Sequence, residues 1–285
     1  MIAYVNTQFI NEELATIGIG DMSIQRGYGL FDYFRTSNHY PLFIDDYLER
    51  FFNSAKVLRL EPLHTREEIK SIIHEMIRMN NIPDSGFRLI LTGGYSPDNF
   101  EPVTPNFIVI QQPIRMPSPE KIQKGLSIIL FEYQRDVPEA KSINYLMSVF
   151  LLDKMRQQQA DEILYFKDNL ILEFPRANVF IVTKEKTIVT PSKNVLHGIT
   201  RKRILELAGN KYVTEERNVT VDELKNAAEV FLTSTTKRII PVVKIENQKV
   251  GDGSPGEITK KLLSLFVEME ENILNKMAQT KELVT

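Results

Sequence analysis

Apolar positions in the first third of the chain switch between strand-like and helix-like spacing. Residues 3–10 (AYVNTQFI) and 30–36 (LFDYFRT), then 42–44 (LFI) after the Ser37-Asn38 turn, are β-branched and aromatic runs bounded by turn formers, and read as strands. From Asp45, the residues Leu48, Phe51, Phe52, Ala55 and Leu58 recur at helical spacing. Thr65 with Glu68 forms a capping box ahead of Ile69, Ile72, Ile73, Met76 and Ile77, which predicts a second amphipathic helix. Strand patterns return at 87–92 (FRLILT) and 106–112 (NFIVIQQ), so a small sheet covered by two helices is expected. The run 113–119 (PIRMPSP) then has three prolines in seven residues, the composition of an interdomain linker.

Beyond the linker, 126–133 (LSIILFEY) is an apolar strand, and a helix is predicted from about Ile143 to Gln158 with Leu146, Val149, Phe150 and Met155 on one side. Hairpins follow at 163–174, turning at Asp168-Asn169, and at 178–190, turning at Lys184-Glu185. Gly198-Ile199-Thr200 starts a helix through Leu207, with Thr200 as N-cap and Gly209 just past its end. A capped helix from Thr220 to Ala228 with Glu223 at its third position, strands at 229–233 and 239–245, and a long amphipathic helix from Glu257 complete the chain. The expected architecture is α+β in two unequal domains. Residues 1–118 form a small, sandwich-like α/β domain, and 119–285 a larger domain with a mixed, largely antiparallel sheet.

At 285 residues, 42% hydrophobic and 25% charged, the chain can bury a sizeable core, which excludes disorder, collagen and coiled coil. A formal charge of -2 supplies no global field for a nucleic-acid backbone or an anionic membrane, so neither is an expected partner. The absence of Cys excludes disulfide frameworks, thiolate zinc sites and catalytic thiols, and makes the cytoplasm the expected location. No basic run followed by an apolar stretch opens the chain and no run of about 18 apolar residues occurs, so neither secretion nor a membrane span is expected.

Several candidate motifs are weak. Gly251-Asp252-Gly253-Ser254-Pro255-Gly256 fits G-x-G-x-x-G, but a dinucleotide site needs a βαβ unit around it, and only one helix and a tail follow. The four histidines, His39, His64, His74 and His197, have no metal-ligand spacing, and no metal is expected. No G-x-S-x-G elbow anchors a hydrolase triad. More suggestive is the Gly198-Ile199-Thr200-Arg201 helix start, whose free N–H groups form a ready phosphate seat. Thr233-Ser234-Thr235-Thr236 adds four hydroxyls at a strand end, Lys141 sits at a strand–helix junction, and Glu173 ends an apolar strand where a charge needs a rim or a partner.

The runs Lys141-Ser142-Ile143-Asn144-Tyr145-Leu146, Glu173 with Asn178-Val179-Phe180, Leu196-His197-Gly198-Ile199-Thr200-Arg201 and Thr233-Ser234-Thr235-Thr236 closely resemble, in order and spacing, the class IV, fold type IV pyridoxal-phosphate enzymes. That family comprises branched-chain aminotransferases, D-amino-acid aminotransferases and 4-amino-4-deoxychorismate lyases. Upstream, Gly27-x-Gly29-Leu30-Phe31-Asp32 resembles the family's G-D-G-V-F-E strand, and Leu48-Glu49-Arg50-Phe51-x-x-Ser54-Ala55 its H-x-x-R-L-x-x-S-A helix. The resemblance implies pyridoxal 5'-phosphate as cofactor, held by Lys141 as a Schiff base, with Lys141 also carrying the proton at the substrate α-carbon. It implies Glu173 at the pyridine nitrogen, Arg50, Ile199, Thr200, Thr235 and Thr236 at the phosphate, and Tyr145 and Asn178 also at the cofactor. Phe31, Arg35 and Arg88 are implied at the substrate, and a homodimer is implied as the active form.

Departures from the family pattern bear on the substrate. Members acting on D-amino acids carry an Arg in a T-R-G turn, where this chain has Thr92-Gly93-Gly94, while Arg35 and Arg88 fall where branched-chain enzymes hold a carboxylate. The expectation is an aminotransferase passing an amino group between an L-amino acid, branched-chain-like, and a 2-oxo acid such as 2-oxoglutarate. The Thr-Ser-Thr-Thr turn is closer to the D-amino-acid enzymes, and the cations Arg176, Lys237 and Arg238 suit an anionic substrate or pair with carboxylates. D-amino-acid transamination and pyruvate elimination from aminodeoxychorismate therefore stay open as alternatives.

Overall fold

The computed structural model describes residues 1–282, with side chains through Gln279. The chain divides into two compact units, one formed by Met1–Arg115, Glu139–Asn144 and residues 273–282, the other by Met116–Pro138 and Tyr145–Asn272. The architecture is α+β.

The first unit is built on a sheet that has six strands among the described residues: β1 (Ile2–Val5), β2 (Gln8–Asn11), β3 (Gly29–Ser37), β4 (Tyr40–Pro41), β5 (Ser85–Thr92) and β6 (Phe107–Pro113). They lie in the order β2-β1-β6-β5-β3-β4, every pair antiparallel. Helices α1 (Met22–Arg26), α2 (Ile44–Val57) and α3 (Arg66–Asn80) belong to this unit. Side chains alternate along β3, so Leu30, Asp32, Phe34 and Thr36 are buried on one face, where Phe34 stacks on Phe87 of β5 with centroids 5.1 Å apart and meets Tyr47 of α2. Thr65 and Glu68 cap α3 reciprocally, as their spacing predicts.

Two strand expectations change in this unit. Residues 3–10 form the hairpin β1–β2 rather than one strand, because Asn6 adopts φ +56° and its amide is tied to Asn106 and to the Phe107 N–H. Residues 42–44 are not a strand either. The regular β3–β4 ladder ends at Pro41, Leu42 N–H makes one further bond to the Arg35 carbonyl at 3.0 Å, and Phe43 turns at φ +56° to open α2.

The second unit contains α4 (Pro119–Lys124), β7 (Leu126–Glu132), α5 (Leu146–Phe150), α6 (Leu152–Gln157), β8 (Glu162–Lys167), β9 (Leu170–Ile171), β10 (Glu173–Phe174), β11 (Ala177–Val182) and β12 (Ile188–Thr190). It continues with α7 (Ile199–Gly209), β13 (Thr214–Glu216), α8 (Val221–Asn226), β14 (Glu229–Ser234), β15 (Arg238–Ile245), β16 (Gln248–Lys249) and, as far as Asn272, α9 (Glu257–Glu282). The sheet order is β13-β12-β11-β14-β15-β7-β8-β9, with β10 on β11 and β16 on β15. β12 with β13, β15 with β7, and β7 with β8 are parallel and the other pairs antiparallel, so the sheet is mixed and largely antiparallel. Both faces carry core. Ile128, Leu164, Val179 and Leu232 pack with Leu224 of α8, and Ile129, Ile163 and Tyr165 pack with Leu151, Met147 and Met155.

The helix expected over 143–158 begins at Leu146 and breaks at Leu151 into α5 and α6. Met147, Leu151 and Met155 make its packed side, while Leu146, Val149 and Phe150 remain 76%, 63% and 75% exposed. The proline run ends in a helix start, with Ser118 capping α4 and Pro119 in the first turn, where its missing N–H costs nothing. For α7 the N-cap is Gly198, not Thr200, and Gly209 is its last residue.

Candidate active site

In the first unit the structure brings Lys141, Phe31 and Arg88 together. Residues 141–143 run antiparallel to the start of β3: Phe31 N–H donates to the Lys141 carbonyl at 2.9 Å, Ile143 N–H to the Gly29 carbonyl at 3.0 Å, and Leu30 bridges Ser142. Lys141 N–H donates to Ser54 Oγ of α2 at 3.2 Å, so the lysine backbone is held on both sides. Gly29 is closely flanked on both sides, since a Cβ there would lie 2.8 Å from the Leu91 carbonyl oxygen of β5 and 3.2 Å from Ile143 Cδ1. Lys141 Nζ sits over the Phe31 ring, 4.5 Å from its centroid, and the Arg88 guanidinium is 5.6 Å from the same centroid.

Strand register places Phe31, Ile90 and Ile108 in one row of this face and Tyr33, Arg88 and Ile110 in the next. Burial pushes the Tyr33 hydroxyl up from its ordinary pKa, opposed by the nearby charges of Arg88 and Arg35. Arg35 is buried two residues further along the same side of β3. Arg50 is engaged elsewhere. Its Nε donates to Asp32 Oδ2 at 2.9 Å and its Nη2 to Oδ1 at 2.6 Å, and Asp32 leaves β3 on the side opposite Phe31. Where the D-amino-acid enzymes carry an Arg in T-R-G, Gly93 abuts Met22, and a Cβ there would lie 2.9 Å from Met22 Cβ.

In the second unit, Glu173, Asn178 and the start of α7 form one connected group. Glu173 is 5% exposed, far from a solvated strand end. Its Oε1 accepts from Arg135 Nε at 2.8 Å and faces Arg135 Nη2 at 2.8 Å, and its Oε2 accepts from Leu196 N–H at 2.9 Å. Asn178 lies opposite Glu173 in the β10–β11 register and donates to the Leu196 carbonyl at 2.7 Å, so Leu196 is pinned by both. Burial foremost raises the pKa of the adjacent Tyr165 hydroxyl, and the charges of Glu162 and Glu173 add to the shift. Tyr145 is half-buried at the N-cap of α5.

The start of α7 has neither a side-chain cap nor an acidic residue in its first turn, unlike α3, α4 and α8. A Cβ on Gly198 would overlap Asn178 Oδ1, so any side chain there would displace Asn178. The hydroxyls of Thr233 and Ser234 are buried and have no hydrogen-bond partner among the described residues, while Thr235 and Thr236 occupy the half-buried turn that follows. Open helix N–H groups and orphaned hydroxyls suit a phosphate, and a buried carboxylate with acceptor capacity left suits a pyridinium N–H. The residues present therefore fit pyridoxal phosphate.

The start of α9 contrasts with that of α7. The Glu229 carboxylate accepts from Ile258 N–H at 3.0 Å and from Thr259 N–H at 2.8 Å and fills the space beside Gly256, so the glycine-rich turn has no vacancy for a pyrophosphate. Lys237 pairs with Glu162 at 2.8 Å and Arg238 with buried Glu270 at 2.7 Å, which accounts for two of the departing cations by internal pairing, whereas Arg176 is exposed in the β10–β11 turn. Among the described residues no group of three or more His, Asp or Glu is placed to hold a metal, and no helix is long and apolar enough to cross a membrane. Sequence reasoning missed Arg135 and the pairing of Asp32 with Arg50, and of the four-hydroxyl turn it carried only Thr235 and Thr236 to the phosphate. The buried charge of Glu173 was the one signal that a cation had to be found for it.

Comparison with known proteins gives a consistent answer. The family profile described as Amino-transferase class IV matches residues 29–245. A D-alanine aminotransferase of Bacillus licheniformis is 31% identical over 96% of this chain and 98% of its own length. A putative branched-chain-amino-acid aminotransferase of Methanocaldococcus jannaschii is 29% identical over 94% of this chain and 96% of its own. Among solved structures, a T.th. branched-chain amino acid aminotransferase with pyridoxamine 5'-phosphate superposes with a TM-score of 0.87 at 25% identity, covering 94% of this chain and 93% of that one.

Proposed function

Because the chain belongs to the class IV aminotransferases, pyridoxal-phosphate enzymes that transfer amino groups, we propose that it exchanges the amino group of an apolar α-amino acid with a 2-oxo acid, with Lys141 as the reacting amine. The single observation that carries this reading is the Lys141 amine held over Phe31 on the same sheet face as Arg88. When bound, pyridoxal phosphate supplies an aldehyde for the amine and a ring that accepts the electrons released at the substrate α-carbon.

Each residue has a physical reason for its role. Lys141 Nζ would hold the cofactor and, as a free amine, would move the proton at the substrate α-carbon. Glu173 would accept the pyridine N–H. The N–H groups of Ile199 and Thr200, with the hydroxyls of Thr233, Ser234, Thr235 and Thr236, would hold the phosphate, while Arg50, the cation the family resemblance implies for it, is paired with Asp32. Asn178 fixes the Leu196 turn from which α7 starts, and Tyr145 serves the cofactor's phenolic oxygen. Arg88, with Arg35 near Tyr33, attracts the substrate carboxylate.

The row Phe31, Ile90 and Ile108 supports an apolar substrate side chain, and with it the L-branched-chain reading. A D-amino acid is the second reading, favoured by the 31% identical D-alanine aminotransferase. The apolar, exposed side of α5 supports a homodimer, and the cysteine-free composition a cytoplasmic location.

The test is to mix the cofactor-loaded protein separately with L-leucine, L-valine, D-alanine and D-glutamate, and follow the visible cofactor band together with 2-oxo acid formation. Conversion by L-leucine or L-valine, abolished in Lys141→Ala, is the expected result. Conversion only by D-amino acids selects the second reading, and pyruvate release from aminodeoxychorismate with no amino acid converted overturns transamination.

A further inference from the structure

We infer that Arg135 is a positioning residue for Glu173, holding its carboxylate fixed as the acceptor for the cofactor's pyridine nitrogen. The inference rests on the reading of Glu173 given above.

Arg135 lies in the stretch between β7 and Lys141, and its side chain is 15% exposed against 7% for Glu173, so the pair is screened from solvent. Both Nε and Nη2 of Arg135 address Glu173 Oε1, and Nη2 also donates to the Pro138 carbonyl at 2.6 Å. The guanidinium is thus braced against the backbone as well as against the carboxylate. Leu196 N–H, at 2.9 Å from Oε2, holds the other end of the carboxylate. A carboxylate offers about four acceptor sites. Three donors on two oxygens leave capacity for one more, in a group that can no longer swing.

Buried ion pairs are a weak source of stability, because the desolvation of two charges offsets most of their attraction. A braced pair, with two guanidinium nitrogens on one carboxylate oxygen, is better explained at this place by geometry than by stability. Only a planar fork serves both partners. A lysine at 135 would supply the charge without the second, fixed N–H. Pro138 also stands three residues before Lys141, so the same guanidinium grips the chain just ahead of the reacting amine.

The experiment compares Arg135→Leu, Arg135→Lys, Glu173→Gln and the Arg135→Leu/Glu173→Gln double variant. Pyridoxal-phosphate dissociation constants, the visible circular dichroism of the bound cofactor, apoprotein melting, kcat and KM are measured for each. Arg135→Leu is expected to weaken cofactor binding and lower kcat at least tenfold, to alter the visible dichroism, and to leave the substrate KM within threefold. Arg135→Lys should recover part of both losses. In the Glu173→Gln background, removing Arg135 should change cofactor binding less than threefold, since the carboxylate it positions is gone. Wild-type dichroism with binding within twofold in Arg135→Leu, or equal losses in both backgrounds, would overturn the inference. If Arg135→Leu apoprotein does not fold, Arg135→Lys is judged by the dichroism and binding criteria in its place. A Glu173→Gln variant indistinguishable from wild type would sink the reading of Glu173 itself, and the inference with it.

Discussion

Asp32→Leu is expected to be among the most destabilising single substitutions in the first unit. The Asp32 side chain is fully buried and that of Arg50 only 11% exposed, with two hydrogen bonds of 2.6 and 2.9 Å between them. Asp32 Oδ1 also accepts the Tyr33 N–H at 2.7 Å. Removing one partner from such a pair leaves an uncompensated buried charge, at a cost of about 3–5 kcal/mol. Leucine removes every acceptor and belongs at the upper end of that range, whereas asparagine keeps one oxygen and belongs near the lower end. At roughly 2–4 °C per kcal/mol for a chain of this size, even 3 kcal/mol lowers Tm by about 6–12 °C. The assay is urea and thermal denaturation of the apoproteins, which removes any contribution from cofactor binding to the folded state. The Asp32→Leu/Arg50→Leu double variant should be more stable than Asp32→Leu alone, because no charge is then stranded. A loss below about 1 kcal/mol in Asp32→Leu, or a double variant at least as unstable as the sum of its parts, would refute the buried-pair reasoning.

Three further outcomes follow from the structure. Gly198→Ala forces a methyl into Asn178 Oδ1 and should destabilise the protein by about 1–3 kcal/mol while weakening pyridoxal-phosphate binding; unchanged binding by equilibrium dialysis counts against α7 as the phosphate seat. Asp98 should titrate at about 2 rather than 3.8, held there by the Ser96 hydroxyl and then by the Glu101 and Phe100 N–H groups. Its folded value lies below its unfolded one, so the turn keeps this stabilisation above about pH 4 and loses it as pH falls toward 2, which carboxyl NMR titration reads directly; a midpoint near 3.8 disproves it. Phe150→Asp puts a charge on the exposed side of α5 and should shift sedimentation velocity from the proposed dimer to monomer; a wild type that sediments as a monomer refutes the dimer, and a variant that stays dimeric removes that side from the interface.

The parts of the fold legible in the sequence are those settled within a few residues. Thr65 with Glu68 and Thr220 with Glu223 fold as capping boxes, and Asp168-Asn169 turns with both φ positive, because each motif carries its own hydrogen-bond partners or turn geometry. Orientation was less legible. Helical spacing groups Leu146, Val149 and Phe150 but is silent on whether that side meets the sheet or solvent, and the break at Leu151 gives the packed side to Met147, Leu151 and Met155 instead. Long-range pairs were not legible at all, since Arg135 reaches Glu173 across 38 residues and Arg50 reaches Asp32 across 18.

The remaining departures from local rules are informative by where they fall. Helix α7 starts with neither a side-chain cap nor an acidic first turn, a methyl on Gly198 would displace Asn178, and Thr233, whose hydroxyl has no hydrogen-bond partner among the described residues, faces Asn178 across the β11–β14 register. Asn178 in turn shares Leu196 with Glu173, a charge buried at a strand end. A chain selected for stability alone would cap that helix, as Glu229 caps α9, and pair or remove those hydroxyls. Their coincidence in one connected group is what supports the proposal that a phosphate is held there, since open helix N–H groups and hydroxyls both suit one.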